Sequence, residues 1–153
     1  MKKLICTLAL SSVLILTAGC GEEKQMKCTL SQNDDTNGYQ LTSTYNITSQ
    51  DGIVKKVQTE ENVESGKEEI ISAFKQTLET TYSSMNESYG GYDYNITAAT
   101  NKLTSKVTID YEKVDLEKLA KNEPSTKSML NSKNQVTLSG LQKVYENMGA
   151  TCK

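Results

Sequence analysis

The stretch that decides the fold is residues 39–48, which read Tyr39-Gln40-Leu41-Thr42-Ser43-Thr44-Tyr45-Asn46-Ile47-Thr48. Aromatic, aliphatic and small side chains alternate here with threonine, asparagine and glutamine, and successive side chains of a β-strand point to opposite faces. One apolar face and one polar face are typical of an antiparallel strand with one side on a core and the other in water. The stretch therefore predicts a half-buried strand.

The same alternation recurs on both sides of this strand. Turn formers at residues 33–38 precede it, and Gln50-Asp51-Gly52 follows it, so it is expected to form a hairpin with the next strand. A second hairpin is predicted after Tyr89-Gly90-Gly91. The predicted strands are residues 26–32, 39–48, 53–63, 92–98 and 103–111.

Three helical segments are predicted between and after the strands. Ser65-Gly66-Lys67-Glu68 has the pattern of a capping box, which begins a helix with an apolar stripe. Asp115 is expected to cap a short helical turn, and a last helix is predicted at residues 138–148, with Gly149 at its C′ position. The polar segment 122–134 is expected to be a loop. The predicted core-facing residues are Ile70, Ile71, Phe74, Leu78, Tyr82 and Met85 of the first helix, and Leu138, Leu141, Val144, Tyr145 and Met148 of the last.

This order of elements predicts an α+β fold. We expect an antiparallel sheet, made of two hairpins plus an N-terminal strand, with the helices packed on one face. Residues 26–153 are enough for one such domain with its own core.

The chain begins with a predicted export signal, residues 1–19. A basic end, Met1-Lys2-Lys3, precedes an apolar run at residues 4–16 that is too short to span a bilayer, which takes roughly 20 residues. Small residues then precede Cys20, as in the lipobox of bacterial lipoproteins, so we expect cleavage before Cys20 and lipidation of its thiol. The alternative is an ordinary secretory signal that happens to end beside a cysteine.

The expected anchor is a diacylglyceryl group on Cys20, with palmitate or similar acyl chains. Two chains attach a protein stably, whereas one chain gives only marginal, reversible binding. Residues 20–25 are predicted to be a short polar tether. The domain is therefore expected to lie close to the cell membrane, on its extracytoplasmic face.

The composition excludes several classes of function. The chain has no histidine, arginine or tryptophan, so it lacks the usual proton shuttle, the commonest transition-metal ligand and the bidentate anion fork. Histidine-dependent hydrolase sites are excluded. Two of the 17 lysines precede Cys20 and all 19 acidic residues follow it, which leaves a formal charge of −4 and no footprint for nucleic acid. We predict no cofactor, no nucleic-acid partner and no enzyme, although Asp, Glu or Lys chemistry stays open.

Cys28 and Cys152 are the two cysteines that remain after Cys20. They stand at opposite ends of the predicted domain, in an exported setting that favours a disulfide. Closing a loop of this size contributes about 4.7 kcal/mol in the chain-entropy model, less any native strain. The alternative is two free thiols.

The tyrosines are the most suggestive side chains for binding. There are eight, against one phenylalanine. Tyrosine couples apolar area to a polar group and suits a recognition surface, but it also fills half-buried sheet positions. The candidates for a binding surface are Tyr39, Tyr45, Tyr92, Tyr94 and Tyr111.

Two acidic stretches are candidate sites, but the sequence favours a simpler interpretation of each. Residues 33–38 echo the start of a calcium loop, but its twelfth position is Thr44 rather than a glutamate, so a turn is favoured and no metal is predicted. Asp110, Glu112 and Asp115 lie near Lys113. Their spacing favours a solvated charged face over a pair of catalytic carboxylates.

Two segments resemble the YehR-like lipoproteins of bacteria, as does the lipobox. The first reads Val107-Thr108-Ile109-Asp110-Tyr111-Glu112-Lys113-Val114-Asp115-Leu116, and the second Leu141-Gln142-Lys143-Val144-Tyr145-Glu146-Asn147-Met148-Gly149. The resemblance implies a small α+β domain on a lipid anchor, without a known activity and without catalytic residues to carry over.

The sequence thus favours a membrane-anchored binding module over an enzyme. We expect its partner to be a small ligand or another envelope protein, in addition to the membrane that holds the lipid. The alternatives are an envelope enzyme that uses aspartate, glutamate or lysine, and a purely structural envelope protein.

Overall fold

A computed structural model of the chain describes residues 21–153. The predicted signal peptide and Cys20 lie outside the described residues. The elements follow the order β1 (Glu23–Asp34), β2 (Tyr39–Gln50), β3 (Ile53–Ser65), α1 (Glu68–Tyr89), β4 (Tyr92–Ala98), β5 (Lys102–Asp110), α2 (Leu116–Asn122), a 3-10 helix (Pro124–Met129), α3 (Leu138–Asn147) and β6 (Thr151–Cys152).

The strands form one antiparallel sheet in the order β4-β5-β3-β2-β1-β6. Both predicted hairpins and the N-terminal strand are present, and the α+β class with helices on one face is confirmed. The sixth strand is the short C-terminal segment beside β1. β3 lies between β2 and β5, where the two hairpins meet, so its side chains are central on both faces of the sheet.

The two faces of the sheet differ as the alternation requires. The inner face, which the helices cover, carries odd-numbered residues of β2 and β5, such as Ile47 and Leu103, both almost fully buried. The outer face carries their polar neighbours. It includes two cross-strand ion pairs, Glu60–Lys106 at 3.6 Å and Glu64–Lys102 at 3.1 Å.

The core divides into clusters under different helices. Under α3, Tyr145 and Leu141 pack with Ile47 and Val57 of the sheet. Under the first half of α1, Ile71 packs with Val63 and Leu103. A third cluster joins the end of α1 to α2, and its buried residues are Tyr89, Val114 and Leu119.

Several local predictions need correction. Ser65 is not a helix cap: it ends β3, its hydroxyl donates to Gly38 O at 2.7 Å and accepts from Lys67 N, and α1 begins after Lys67 without a side-chain cap. The segment after α2 contains the 3-10 helix rather than only loop, and Met129 at the end of that helix is buried. Met148, expected to face the core, is 51% exposed.

The remaining end signals are as expected. Asp115 caps α2 by accepting from Lys118 N at 2.9 Å. Gly149 follows α3 with a φ of 95°, a left-handed conformation that favours glycine.

At the other end of the domain, β1 begins at Glu23, so residues 23–25 of the predicted tether belong to a strand. Among residues 21–153, no helix is long and apolar enough to cross a membrane.

Candidate functional site

A glutamate lies on the apolar face of the central strand. Along β3, Val57, Thr59, Glu61 and Val63 share the inner face, and the other three are buried. Val57 belongs to the cluster under α3, and Val63 belongs to the cluster under α1. Glu61 therefore lies at the seam between the two parts of the core.

Serines flank Glu61 on both neighbouring strands. Ser43 of β2 and Ser105 of β5 stand directly opposite Glu61 in the sheet register. Side chains in such positions have Cβ atoms roughly 5 Å apart. We call Ser43, Glu61 and Ser105, together with Tyr82 of α1 above them, the polar seam.

The serine hydroxyls of the polar seam are buried without a partner. Ser43 is 2% exposed and Ser105 is fully buried, and neither Oγ makes a hydrogen bond with any group of residues 21–153. Buried hydroxyls are normally paired, because an unmet one costs about 1–3 kcal/mol. These two unpaired hydroxyls flank the Glu61 carboxylate. The polar seam is therefore the part of the described core whose polar groups are least satisfied.

Among residues 21–153, the carboxylate of Glu61 has a single hydrogen-bond partner, Tyr82. Its Oε2 accepts from the Tyr82 hydroxyl at 3.3 Å. Burial raises the pKa of Glu61 above its ordinary value, and the hydrogen bond from Tyr82 opposes that rise. No lysine or second carboxylate of residues 21–153 contributes to the shift, so the charge of Glu61 is not balanced within the described fold.

Tyrosines from four elements surround the polar seam. Tyr45 of β2 and Tyr145 of α3 stack with ring centroids 4.2 Å apart, and Tyr82 and Tyr94 lie 5.9 Å apart at a tilt of 34°. Burial raises the pKa values of Tyr45, Tyr82 and Tyr145, and the nearby charge of Glu61 adds to each rise. The nearby Ser43 hydroxyl opposes the rise in the pKa of Tyr45, although the two hydroxyls are not placed to form a hydrogen bond.

Solvent reaches the polar seam through the helical layer. Glu61 and Tyr82 are each half-buried rather than buried. Glu61 is in the middle of a sheet whose strands continue on both sides of it, so only a gap above the inner face can expose it. On that face, α1 and α3 cover different core clusters.

The five tyrosines predicted as a binding surface lie in three different places. Tyr45 and Tyr94 lie beside the polar seam, as described above. Tyr39 lies apart and packs edge-on against Phe74, 5.0 Å between centroids. Tyr92 and Tyr111 pack with the cluster at the end of α1, and Tyr111 follows β5 rather than lying in it. Burial raises the pKa of both.

The acidic stretches that the sequence brought forward carry ordinary structural roles. Asp110 pairs with Lys113 at 2.8 Å, and Glu112 pairs with Lys55 at 2.7 Å. The hydrogen bond from Lys113 lowers the pKa of Asp110. Residues 35–38 form the β1–β2 turn, and Asp34 at the end of β1 accepts from Asn37. Within residues 21–153, no group of three or more side chains is arranged to hold a metal ion.

The outer face offers a weaker candidate. A depression of about 350 Å³ crosses it over Asn46, Gln58, Glu60, Asp93 and Lys106. It is open, and its charged groups Glu60 and Lys106 pair with each other. At the polar seam, by contrast, Glu61 has no counter-charge and two serine hydroxyls have no partner among the described residues. The polar seam is therefore the better candidate site.

Sequence reasoning missed Glu61, although a signal was present. The alternation Val57, Thr59, Glu61, Val63 places an acidic residue on the apolar parity of a strand. An acid on that face is either paired, neutral or reserved for a ligand. The two serines were not recognisable as its neighbours, because their position depends on the pairing of three strands.

The structure joins Cys28 and Cys152 by a disulfide. The two residues oppose each other across β1 and β6, with their Cα atoms 4.0 Å apart, and the bond spans 124 residues. Cys28 is fully buried in the cluster under α3. The bond thus ties the chain's C-terminal strand to the sheet beneath that helix.

Comparisons with known proteins identify a family and a fold. The family DUF1307, described as a protein of unknown function, matches residues 28–151. The solved structure of the E. coli YehR protein is similar, with a TM-score of 0.54 and 22% identity over 86% of this chain and 91% of that one. A protein from Streptococcus pneumoniae TIGR4 has a TM-score of 0.50 and 16% identity, covering 100% and 98% of the two chains. No curated protein matches the chain.

Proposed function

The chain belongs to DUF1307, a family of unknown function, and we propose that it is an exported lipoprotein that binds a ligand at the polar seam. Cleavage before Cys20 and lipidation of its thiol hold the domain at the extracytoplasmic face of the cell membrane. The basic end, apolar run and lipobox of residues 1–20 support this location.

The first described residues support a domain held close to the bilayer. Glu22 N donates to Asp51 Oδ1, and Asp51 N donates to Glu22 O, both at 3.0 Å. Only Gly21 and Glu22 separate Cys20 from β1, and an extended chain covers at most about 10 Å over that distance. A lipid on Cys20 therefore keeps the β2–β3 turn on the membrane side.

One observation carries the binding role: Glu61 is half-buried, solvent-accessible and without a counter-charge among residues 21–153. A fold gains nothing from such a group by itself, because desolvating an unpaired carboxylate is costly. Functional sites keep costly groups of this kind because their partner is the ligand. The two unpaired serine hydroxyls beside Glu61 support the same interpretation.

The alternative is an envelope enzyme with carboxylate chemistry. The raised pKa of Glu61 favours it, since catalytic acids are often tuned by burial. Acid–base catalysis generally uses a second group with a different pKa, and within residues 21–153 neither a lysine nor another carboxylate influences Glu61. Binding is therefore the better supported function.

The location is tested by mass spectrometry of the protein extracted from membranes. We expect the mature N-terminus at Cys20 with a diacylglyceryl addition. A Cys20→Ser variant is expected to lack the addition. An unmodified Cys20, or cleavage elsewhere, contradicts the anchor.

The binding role is tested by thermal unfolding of the full-length protein in dodecyl maltoside. A ligand that binds the folded state raises the midpoint by mass action. We expect some members of a panel of cationic, anionic and neutral small molecules to raise the midpoint of the wild type and not that of Glu61→Gln. Glu60→Gln, one residue away on the outer face, is the matched control. If no compound separates the two variants, the polar seam is not a binding site.

A further inference from the structure

We propose that the polar seam binds an organic ammonium cation, an inference that rests on the proposed binding function. The first argument is charge. Residues 21–153 contain six ion pairs, and none of them includes Glu61. Glu60 and Glu64 of the same strand both pair with lysines. The missing counter-charge at Glu61 is supplied by a bound cation.

The second argument is the aromatic surroundings. Tyr82 touches Glu61, Tyr94 lies 5.9 Å from Tyr82 between ring centroids, and the stacked pair Tyr45 and Tyr145 lies on the other side. A cation within about 6 Å of a ring centroid is attracted by the negative face of the ring. An ammonium group on an apolar stem gains both this attraction and contact with the rings.

The third argument is the set of polar atoms that the fold leaves unmet. Ser43 Oγ and Ser105 Oγ are buried, unpaired and directly opposite Glu61 in the register. Hydroxyl and carboxylate oxygens accept hydrogen bonds, as an N–H cation requires. A bare metal ion is disfavoured, because it needs several charged oxygen ligands and the described residues bring only one carboxylate to this point.

The test is calorimetric titration of the full-length protein in dodecyl maltoside with two matched pairs of probes. Choline, which carries a trimethylammonium group, is compared with its uncharged isostere 3,3-dimethylbutan-1-ol. Butylammonium is compared with butan-1-ol. We expect at least one cation to bind ten or more times tighter than its neutral counterpart. Choline has no N–H to donate, so its binding indicates a quaternary ammonium ligand held by the charge of Glu61 and the rings. Butylammonium binding indicates a primary ammonium, such as a lysine side chain, which can also donate to the serine hydroxyls.

Variants locate the effect. Glu61→Gln is expected to reduce the ratio between cation and neutral probe to about one, while Glu60→Gln keeps it. Tyr82→Leu is expected to weaken cation binding at least threefold through loss of one ring. Because tryptophan is absent, a change in tyrosine fluorescence gives a second measurement of binding, and loss of that change in Tyr82→Leu assigns it to the site.

A pH series on the wild type avoids any dependence on variant folding. The titratable groups that face Glu61 are the hydroxyls of Tyr45, Tyr82 and Tyr145 from β2, α1 and α3. They stay neutral at acidic pH, so loss of cation binding on acidification reports Glu61.

Three results overturn the inference: equal affinity for cation and isostere, unchanged binding in Glu61→Gln, or binding that does not fall in acid. If the unfolding screen instead finds neutral or anionic compounds that require Glu61, the binding function stands and the ammonium class is wrong. If that screen finds nothing, both are wrong.

Discussion

Glu60 and Glu61 are neighbours in β3, yet the two faces of the sheet give them opposite environments. Glu60 lies in water and pairs with Lys106 across the strand. Glu61 lies under the helices. Among the described residues, its only side-chain hydrogen-bond partner is Tyr82, and no lysine pairs with it. Period-two alternation alone separates a charge that serves solubility from one that costs stability. The difference identifies Glu61 as the residue to explain.

The largest contrast between the faces is expected at Ile47 and Asn46, which are adjacent in β2. Ile47 is 1% exposed in the core under α3, whereas Asn46 is exposed on the outer face. Ile47→Ala is expected to lower the free energy of unfolding by about 2–5 kcal/mol, through lost burial and a cavity. Asn46→Ala is expected to change it by less than about 0.5 kcal/mol. Urea unfolding measures both, and equal effects would contradict the assignment of faces.

The next effect concerns the disulfide at the edge of the inner face. Cys28 and Cys152 tie β6 to β1, and a Cys28→Ala, Cys152→Ala double variant is expected to lose about 2–4 kcal/mol of stability. The loss should exceed that of any outer-face variant. Mass measurement after alkylation, with and without reductant, shows whether the bond forms. Two alkylated thiols in the protein as isolated would contradict it.

The smallest effect is expected on the outer face itself. Glu64 and Lys102 are exposed and 3.1 Å apart. Exposed ion pairs are typically worth about 0–1 kcal/mol because water and salt screen them. A double-mutant cycle of Glu64→Gln and Lys102→Gln should give a coupling in that range, and less at high salt. A coupling of several kcal/mol would mean that the outer face is not open to solvent.

Local sequence patterns predicted the elements well. The alternation within each pair of neighbouring strands and the turn residues beside them were enough for both hairpins, because each hairpin is a contact between segments that follow one another in the sequence. Boundaries were less accurate. Ser65 matched a helix cap, but its hydroxyl instead bonds to Gly38 O, a distant group that no local pattern reveals.

The candidate site was harder to predict than the fold. The tyrosines were noticed because they are numerous, and Tyr45 and Tyr94 do lie beside the polar seam. The grouping of Ser43, Glu61 and Ser105 depends on the order in which β2, β3 and β5 pair. That order is a long-range property of the sheet. Charge clusters such as Asp110 and Glu112 were more visible in the sequence, but they are paired surface groups.

Glu61 costs the folded protein stability when it is charged, because it has no counter-charge among the described residues. Burial raises the pKa of Glu61 in the folded protein above its ordinary value of 4.5. The folded state therefore holds the proton more tightly than the unfolded chain. This contribution to stability is fully present below the unfolded pKa and is lost as pH rises through the folded pKa.

The most direct measurement is the free energy of unfolding of wild type and Glu61→Gln from pH 4 to pH 8, without ligand. We predict that the variant gains on the wild type as pH rises, because the glutamine carries no charge that burial penalises. Glu60→Gln should show no such gain. A Glu61→Gln variant that is less stable at neutral pH, or a difference that does not change with pH, would contradict the account.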